Sequence, residues 1–328
     1  MHERCHPSTQ ALHEAAACIA AGGLVGFPTE TVYGLGARAD DDAAVAKIFT
    51  AKGRPSEHPL IVHVASMAAA EAFASVLSDD AKSLMQHFWP GPLTIIVPRL
   101  AGLGSAAAGG QDSIGLRMPS HPVARALLRE AARAGVPGIA APSANRFGRV
   151  SPTTAAHVRE EFGPGLLVLD GGPCEVGIES TIVDCRATQP VLLRPGGVDR
   201  KHIEAVFGRS LLARRPDSPR APGTLAAHYA PSAKVVLMAA AELAHRLGQL
   251  GPAGAPFKLA VYSRSEPQAA GGFIFRPMPA DAAAAARERF AVLRGLDTLG
   301  VQQVWVEIPP DAPEWEGVQD RLQRAAAA

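Results

Sequence analysis

Short apolar runs recur through the first two thirds of the chain, at 24–27, 60–64, 93–97, 114–118, 138–141, 166–169, 181–183 and 191–193. Each has the length of a buried strand and is bounded by Gly, Pro or polar residues. Helix-like spacing fills several of the gaps, at 42–51, 66–77, 79–88, 122–134 and 153–162. A further helix is expected at 8–21, with Ser8 as its N-cap. Such alternation predicts an α/β domain. The runs at 114, 181 and 191 have little helix between them, which favours a mixed sheet over a regular doubly wound one. The pattern breaks at 209–232, RSLLARRPDSPRAPGTLAAHYAPS, where four prolines follow no period. A linker or lid fits this stretch better than a simple connection. Strands at 234–238, 258–262, 272–276 and 303–308, with helices at 240–250 and 280–299, then predict a small second α/β unit. The expected division is a domain at 1–208, a linker or lid at 209–233 and a small domain at 234–328.

Composition narrows the class of molecule. With 328 residues and 47% hydrophobic content, the chain can bury a large core. A formal net charge of +1 gives no global electrostatic case for a nucleic-acid or membrane binder, though it leaves room for a local basic cleft. The four cysteines, Cys5, Cys18, Cys174 and Cys185, form no C-x-x-C pair and fit a reducing compartment. The first residues lack the apolar core of a signal peptide, and no apolar run reaches membrane-spanning length. A soluble cytoplasmic protein is expected.

Candidate chemistry concentrates at 27–64, FPTETVYGLGARADDDAAVAKIFTAKGRPSEHPLIVHV. Thr29, Glu30, Thr31 and Tyr33 stand at one end of a predicted helix, and Lys52, Arg54, His58 and His63 at the other. If the unit folds back on itself, a cationic Lys-Gly-Arg loop faces hydroxyls, an arrangement suited to an anion and above all a phosphate. The bland alternatives are a plain polar turn, and cations that merely complement a helix C-terminus. His63, inside the apolar run LIVHV, has the look of a buried, satisfied histidine. No carboxylate or cysteine accompanies His58 and His63 at metal-ligand spacing, so a zinc pair is not expected. Arg117 ends a predicted buried strand and needs an anion, either a structural Asp or a ligand carboxylate. Pro142-Ser-Ala-Asn-Arg146 offers a hydroxyl and an amide, or a capping turn, and 177–184 and 193–197 add polar groups at strand ends. The chain has no G-x-x-x-x-G-K-[ST], G-x-G-x-x-G or G-x-S-x-G motif. A P-loop NTPase, a dinucleotide enzyme and an α/β-hydrolase are therefore disfavoured. The residues by themselves point to a mixed α/β protein with a cationic, hydroxyl-lined cleft for a small anion.

Seven blocks in order, PTETVYGLG, KIFTAKGRPSEHPLIVHV, WPGPLTIIV, GLRMPSHP, APSANRFGRVSPT, GIESTIVD and LRPGGV, resemble the YrdC-domain family. The linker ending in HYAP, with the small domain after it, resembles that family's two-domain form. The likeness spans essentially the whole chain. It implies a twisted mixed sheet around a large, positively lined cavity. It also implies a nucleotidyltransferase that joins L-threonine, bicarbonate or CO2, and ATP with Mg2+ into threonylcarbamoyl-adenylate and pyrophosphate. Partner proteins would then transfer the group to adenosine at tRNA position 37, with no membrane involved and no direct tRNA contact required.

Matched residue by residue, the family's K-x-R and S-x-N signature falls on Lys52, Arg54, Ser143 and Asn145. The resemblance makes Lys52 and Arg54 catalytic as well as ATP-binding. It adds His58 (commonly Asn in relatives), Ser113, Ser151, Arg194 and Tyr229 to the ATP contacts. It assigns threonine to Thr31, His63, Arg117, the Ala141 backbone and Ser180, with Arg117 gripping the carboxylate through two parallel hydrogen bonds. Mg2+ would be held by the ATP phosphates, not by protein ligands. The segment 228–231 is expected to close over the nucleotide, with Thr-Leu-Ala-Ala at 224–227 where many relatives carry a cation. Competing readings are a non-catalytic RNA-binding module and a carbamoyl transferase that uses carbamoyl phosphate.

Overall fold

A computed structural model describes residues 7–250, 255, 258–267 and 272–328; Cys5 lies outside them. The chain divides into two compact units, one reaching Phe147 and resuming at Ser151–Thr224, the other comprising Gly148–Val150 and Leu225–Ala328.

The first unit runs α1 (Thr9–Ala20), β1 (Val25–Phe27), β2 (Gly34–Arg38), α2 (Asp42–Lys52), β3 (Ile61–His63), α3 (Met67–Glu71), α4 (Asp79–Phe88), β4 (Leu93–Pro98) and β5 (Ser113–Arg117). It continues through α5 (Pro122–Arg133), β6 (Ile139–Ala140), α6 (Ala155–Phe162), β7 (Leu167–Val168), β8 (Thr181–Asp184), β9 (Val191–Arg194), α7 (Arg200–Phe207) and β10 (Leu212–Ala213). Its strands join in the order β10-β9-β8-β4-β5-β3-β6-β2-β1-β7. The sheet is mixed: β3 lies parallel to β5, and β4 antiparallel to it.

Strand alternation sorts the central side chains onto two faces. Val62, Leu93, Ile95, Val97, Ile114, Leu116 and Val183 join the main core. On the other face Ile61, Ile96, Ile182 and Leu193 form a smaller cluster with Ala221. Ile61 pairs with Gly115 and His63 with Arg117 in register, so Ser113, Gly115, His63 and Arg117 share this second face. The main-core face is thus nearly all apolar, and the polar side chains of β3 and β5 stand on the other. At its far end α1 and α5 pack together over β1 and β6 through Ala15, Ile19, Leu127, Phe27 and Ile139.

Both ends of α2 are explicit in the sequence. The Asp41 carboxylate accepts from the N–H groups of Ala43 and Ala44. Gly53 closes the helix in the left-handed region at φ 63°, with the Arg54 N–H returning to the Phe49 carbonyl. Ala44, Val45, Ile48, Phe49 and Lys52 form the buried face. That stripe carries Lys52 inward.

Three departures from expectation have local causes. The polar stretch after Phe27 was expected only as a turn, yet it delivers β2. Gly36 is required there, because a Cβ would lie 2.7 Å from Ile139 and 2.8 Å from Phe27. The helix expected at 66–77 shortens to α3, since Phe73 turns into the core and Ala74 bridges to Arg99. Helix α7, absent from the pattern, buries only Ile203.

The second unit contains β11 (Lys234–Met238), α8 (Ala240–Gly248), β12 (Leu259–Ser263), β13 (Phe273–Pro277), α9 (Ala282–Thr298), β14 (Gln303–Glu307) and an unexpected α10 (Glu316–Ala326). Its strands are parallel in the order β11-β14-β12-β13. The stretch 209–233 does not stand apart as a linker. Up to Thr224 it belongs to the first unit, and from Leu225 to the second. The Gln111 side chain bonds both the N–H and the carbonyl of Arg220, Arg194 donates to the Pro222 carbonyl, and Ala221 is buried between them. Among the described residues no helix is long and apolar enough to cross a membrane.

Gly53→Ala is expected to lower unfolding free energy by roughly 1–2 kcal/mol, because its φ is costly for any side chain although open space surrounds it. Gly165, equally open but not at positive φ, serves as control: Gly165→Ala should leave the urea midpoint unchanged. Equal midpoints for the two variants would refute the left-handed cap.

Candidate functional site

Lys52 is 3% exposed, which rules out the surface helix-cap reading. Its Nζ donates to the Ser143 carbonyl at 2.6 Å and to that of Asn145, while the Lys52 carbonyl accepts from the Phe147 N–H. Arg146 adds a bond to the Ala51 carbonyl. The Lys-Gly-Arg and Ser-Ala-Asn loops are thereby laced together. Burial, and next the nearby Arg54 charge, push the Lys52 amine well below the ordinary lysine range. The Arg54 guanidinium donates to the Pro59 carbonyl at 2.9 Å and lies 5.8 Å from the Phe147 ring centre. His58 packs on the same ring at 5.4 Å. Burial and the Arg54 charge lower the His58 pKa. Lys52, Arg54, His58, Ser143 and Asn145 therefore do converge. Phe147, to which the sequence reading gave no role, is the ring that Arg54 and His58 share.

A second cluster forms around Arg117, 3% exposed at the end of β5. Its Nε donates to the Gly91 carbonyl at 3.2 Å, its Nη1 to Thr31 Oγ1 at 3.0 Å, and its Nη2 lies 2.7 Å from Glu30 Oε1. Each nitrogen of the fork already has a protein partner, and Nη2 is sealed from solvent. The expected carboxylate grip would have to share the fork with these protein partners. The anion that Arg117 needed is Glu30. Burial alone would raise the Glu30 pKa, but the Arg117 charge and N–H groups, together with the Glu30 and Ser120 amides, bring it below the usual value.

Thr31 has a defined polarity. Thr29 Oγ1 gives its proton to the Val32 carbonyl at 2.7 Å, so in the 2.8 Å contact between the two hydroxyls Thr31 is the donor. With Arg117 donating to it, Thr31 keeps only a lone pair for a ligand. His63 stands beside Arg117 in register, 3% exposed, with its Nδ1 buried and without a hydrogen-bond partner. The Phe27 ring meets it edge-on at 5.9 Å and also touches the position of Gly34, against which Ala141 packs.

The remaining expected residues are distributed unevenly. Ser180 Oγ lies 2.7 Å from Thr94 Oγ1 and accepts from Arg194 Nη2 at 3.2 Å. Arg194 also donates to the Ser180 and Pro222 carbonyls. Ser151 gives its proton to Glu179 at 2.6 Å. Ser113 is buried on the second face of the sheet, at the opposite end of β5 from Arg117. Tyr229 is different. Its ring is 1% exposed inside the second unit, stacked on Phe290 at 5.7 Å with Arg321 over it at 5.0 Å. In this conformation it is a core residue, and its backbone at φ 63° is the described chain's non-glycine exception. Sequence reasoning passed over Thr94, Glu179 and Phe147. The clue available for Glu179 and Phe147 was a place inside a polar block beside a strand, whereas Thr94 lies within the apolar run of β4. Among the described residues no three His, Cys, Asp or Glu side chains gather into a metal site.

Residues 17–196 match a family model spanning Sua5, YciO and YrdC, described as telomere recombination. Residues 198–327 match one described as the C-terminal domain of threonylcarbamoyl-AMP synthase. The chain is 45% identical to the threonylcarbamoyl-AMP synthase of Pyrococcus abyssi over 68% of its own length and 66% of that protein. For the Bacillus subtilis enzyme the identity is 45%, covering 68% of this chain and 65% of the relative. These matched stretches thus span just under two thirds of either relative. The Schizosaccharomyces pombe enzyme is 35% identical over 92% of this chain and 85% of its own. Among solved structures, P. abyssi Sua5 complexed with L-threonine superposes with a TM-score of 0.87 at 36% identity, covering 96% of this chain and 94% of that one.

Burial, and then the Arg117 charge, hold the His63 pKa down to about 3, against an ordinary 6.5. As pH falls below 6.5 the unfolded chain takes up this proton and the native state does not, so His63 costs stability from there down to about pH 3 and nothing above. The slope is at most about 1.4 kcal/mol per pH unit. Urea unfolding of the wild type and His63→Gln between about pH 7.5 and pH 4.5 should show the wild type losing stability more steeply. Parallel curves would mean that His63 titrates normally.

Proposed function

The chain belongs to the Sua5–YrdC family, and we propose that it is a threonylcarbamoyl-AMP synthase. It joins L-threonine, CO2 or bicarbonate, and MgATP into threonylcarbamoyl-adenylate, releasing pyrophosphate. Cytoplasmic partner proteins then carry the threonylcarbamoyl group to adenosine 37 of tRNA.

The observation that carries this reading is the presence of two unlike buried clusters within the first unit. The cationic Lys52–Arg54 cluster, laced to Ser143 and Asn145, suits a polyphosphate. The Arg117–Thr31–His63 cluster, with a guanidinium paired to Glu30 and an acceptor-only hydroxyl, suits a small molecule bearing a carboxylate and a donor. Threonine has both. Its carboxylate meets the Arg117 guanidinium, and its ammonium or hydroxyl donates to Thr31. His63, neutral at pH 7, adds a ring nitrogen without adding charge. Ser180, held by Thr94 and Arg194, and the Ala141 backbone complete this subsite. Ser113, Ser151 and Arg194 contribute on the nucleotide side with His58.

The reaction needs no covalent enzyme intermediate. The threonine amine, once deprotonated from its ammonium form, adds to CO2 and gives up a further N–H proton to solvent, forming a carbamate. A carbamate oxygen attacks the α-phosphorus of ATP, the bond to the bridging oxygen breaks, and pyrophosphate leaves with Mg2+. Positioning of the two substrates and neutralisation of charge on the phosphates supply the rate. Lys52 is fixed in place by two loop carbonyls, so its charge acts from a set position while Arg54 holds the phosphates.

Mass spectrometry of a mixture of protein, L-threonine, bicarbonate and MgATP should detect threonylcarbamoyl-adenylate, with pyrophosphate release depending on all three substrates. Pyrophosphate formed without threonine or without bicarbonate would refute this assignment. Lys52→Ala should lower kcat/KM by roughly 100-fold or more. Unchanged turnover in that variant would remove Lys52 from the machinery.

A further inference from the structure

Glu30 is the most thoroughly buried carboxylate near the second face of the sheet. It is 4% exposed, and both of its oxygens are out of reach of solvent. It cannot touch a ligand without rearrangement, yet it pairs at 2.7 Å with Arg117, whose Nη2 is equally sealed. Its own main chain is anchored: the Val176 N–H donates to the Glu30 carbonyl at 2.8 Å. Next to it Thr29 folds the loop onto itself, its Oγ1 accepting from the Thr31 and Val32 amides at 3.2 Å. The Gly91 carbonyl holds Nε and the Thr31 hydroxyl meets Nη1, so Arg117 is held at every nitrogen and Glu30 is its one charged partner among these contacts.

We propose that Glu30 is a positioning residue of the amino-acid subsite, acting through Arg117. Resting on the synthase reading above, this adds a residue with no direct ligand contact to the threonine side. Two consequences follow from the geometry. The ion pair seals Nη2 and sets the angle of the guanidinium that an incoming carboxylate must meet. It also makes the Arg117 end of the site neutral overall, which suits a zwitterionic amino acid better than a simple anion. A lone Arg117 would favour anions of any kind, ATP among them. Glu30 thereby helps to keep the two subsites distinct. The same pair sets the direction from which Arg117 donates to Thr31.

Glu30→Asp keeps the charge but withdraws it by one methylene, so the variant retains a partner for Arg117 and its buried charge. Calorimetric titration with L-threonine should give a Kd about tenfold weaker than wild type, a loss typical of a displaced charged hydrogen-bond partner. The ATP affinity should stay within about twofold. In an Arg117→Gln background, Glu30→Asp should cause no further loss, because its effect passes through the guanidinium. Wild-type threonine affinity in Glu30→Asp would overturn the proposal. So would an equal loss for ATP, or a full additional loss in the double variant. If the wild-type protein itself binds no threonine, the synthase reading falls along with it; if wild type binds and the variant is unaffected, only the role of Glu30 falls.

Discussion

Everything chemical in this molecule depends on cations taken out of water. Lys52, Arg54, Arg117 and Arg194 are each at most 9% exposed. Desolvating such a group costs several kcal/mol unless something replaces its hydration shell. Here the replacement is largely backbone: the carbonyls of Ser143 and Asn145 for Lys52, Pro59 for Arg54, Gly91 for Arg117, and Ser180 and Pro222 for Arg194. A carbonyl dipole solvates a cation without cancelling its charge. These loops therefore keep positive charge preorganised in a low-dielectric setting, where it acts on an anion more strongly than it would in water. Arg117 is the instructive contrast. Glu30 pairs with it, so the end of the face that suits an amino acid carries little net charge.

The fold tolerates this arrangement because the sheet separates its two duties. Period-two alternation sends Leu93, Ile95, Val97, Ile114 and Leu116 into the main core and leaves Ser113, Arg117 and His63 on the opposite side. Beside Ser113 the apolar cover is small, Ile61, Ile96, Ile182 and Leu193 closed by Ala221 from the proline-rich stretch, while α1 and α5 cover the end that carries Ile139. The stretch is consequently part of the first unit and not a free tether. Its backbone supplies acceptors to Arg194 and bonds to Gln111, so composition typical of a linker serves here as wall.

Much of this was legible in the chain, for identifiable reasons. Strands such as 93–97 and helices such as 122–134 announce themselves through period and β-branched content. The Lys-Gly-Arg and Ser-Ala-Asn motifs announced charge and amide groups at loop positions, and the structure laces those loops together. What stayed hidden was decided by distant partners. Gly34–Arg38 has no β-branching; it is a strand because it pairs with β1 and β6, and Ile139 and Phe27 leave no room there for a Cβ at Gly36. The choice between a structural and a ligand anion for Arg117 was left open at the sequence level, since Glu30 lies 87 positions away along the chain (117 minus 30). Tyr229 looked like a nucleotide contact from its motif. Its burial among Phe290 and Arg321 depends on the packing of the second unit, which local pattern does not reveal.

A final constraint is spacing. Ser113 and Arg117 are the two ends of one strand, β5, with hydrogen-bonded neighbours on both sides. Four residue steps at strand rise separate them by roughly 13 Å. A central strand is among the least deformable parts of a domain, so this separation is not adjusted when loops move. Under the proposed reaction it sets how far apart an amino acid and a nucleotide are held, while the contacting groups come from flanking loops that can adapt. Such a division suits a condensation without a covalent enzyme intermediate. If no side chain bonds to the reacting atoms, the rate rests on the two substrates meeting at a fixed distance, and a paired interior strand is the element of this fold best able to fix one.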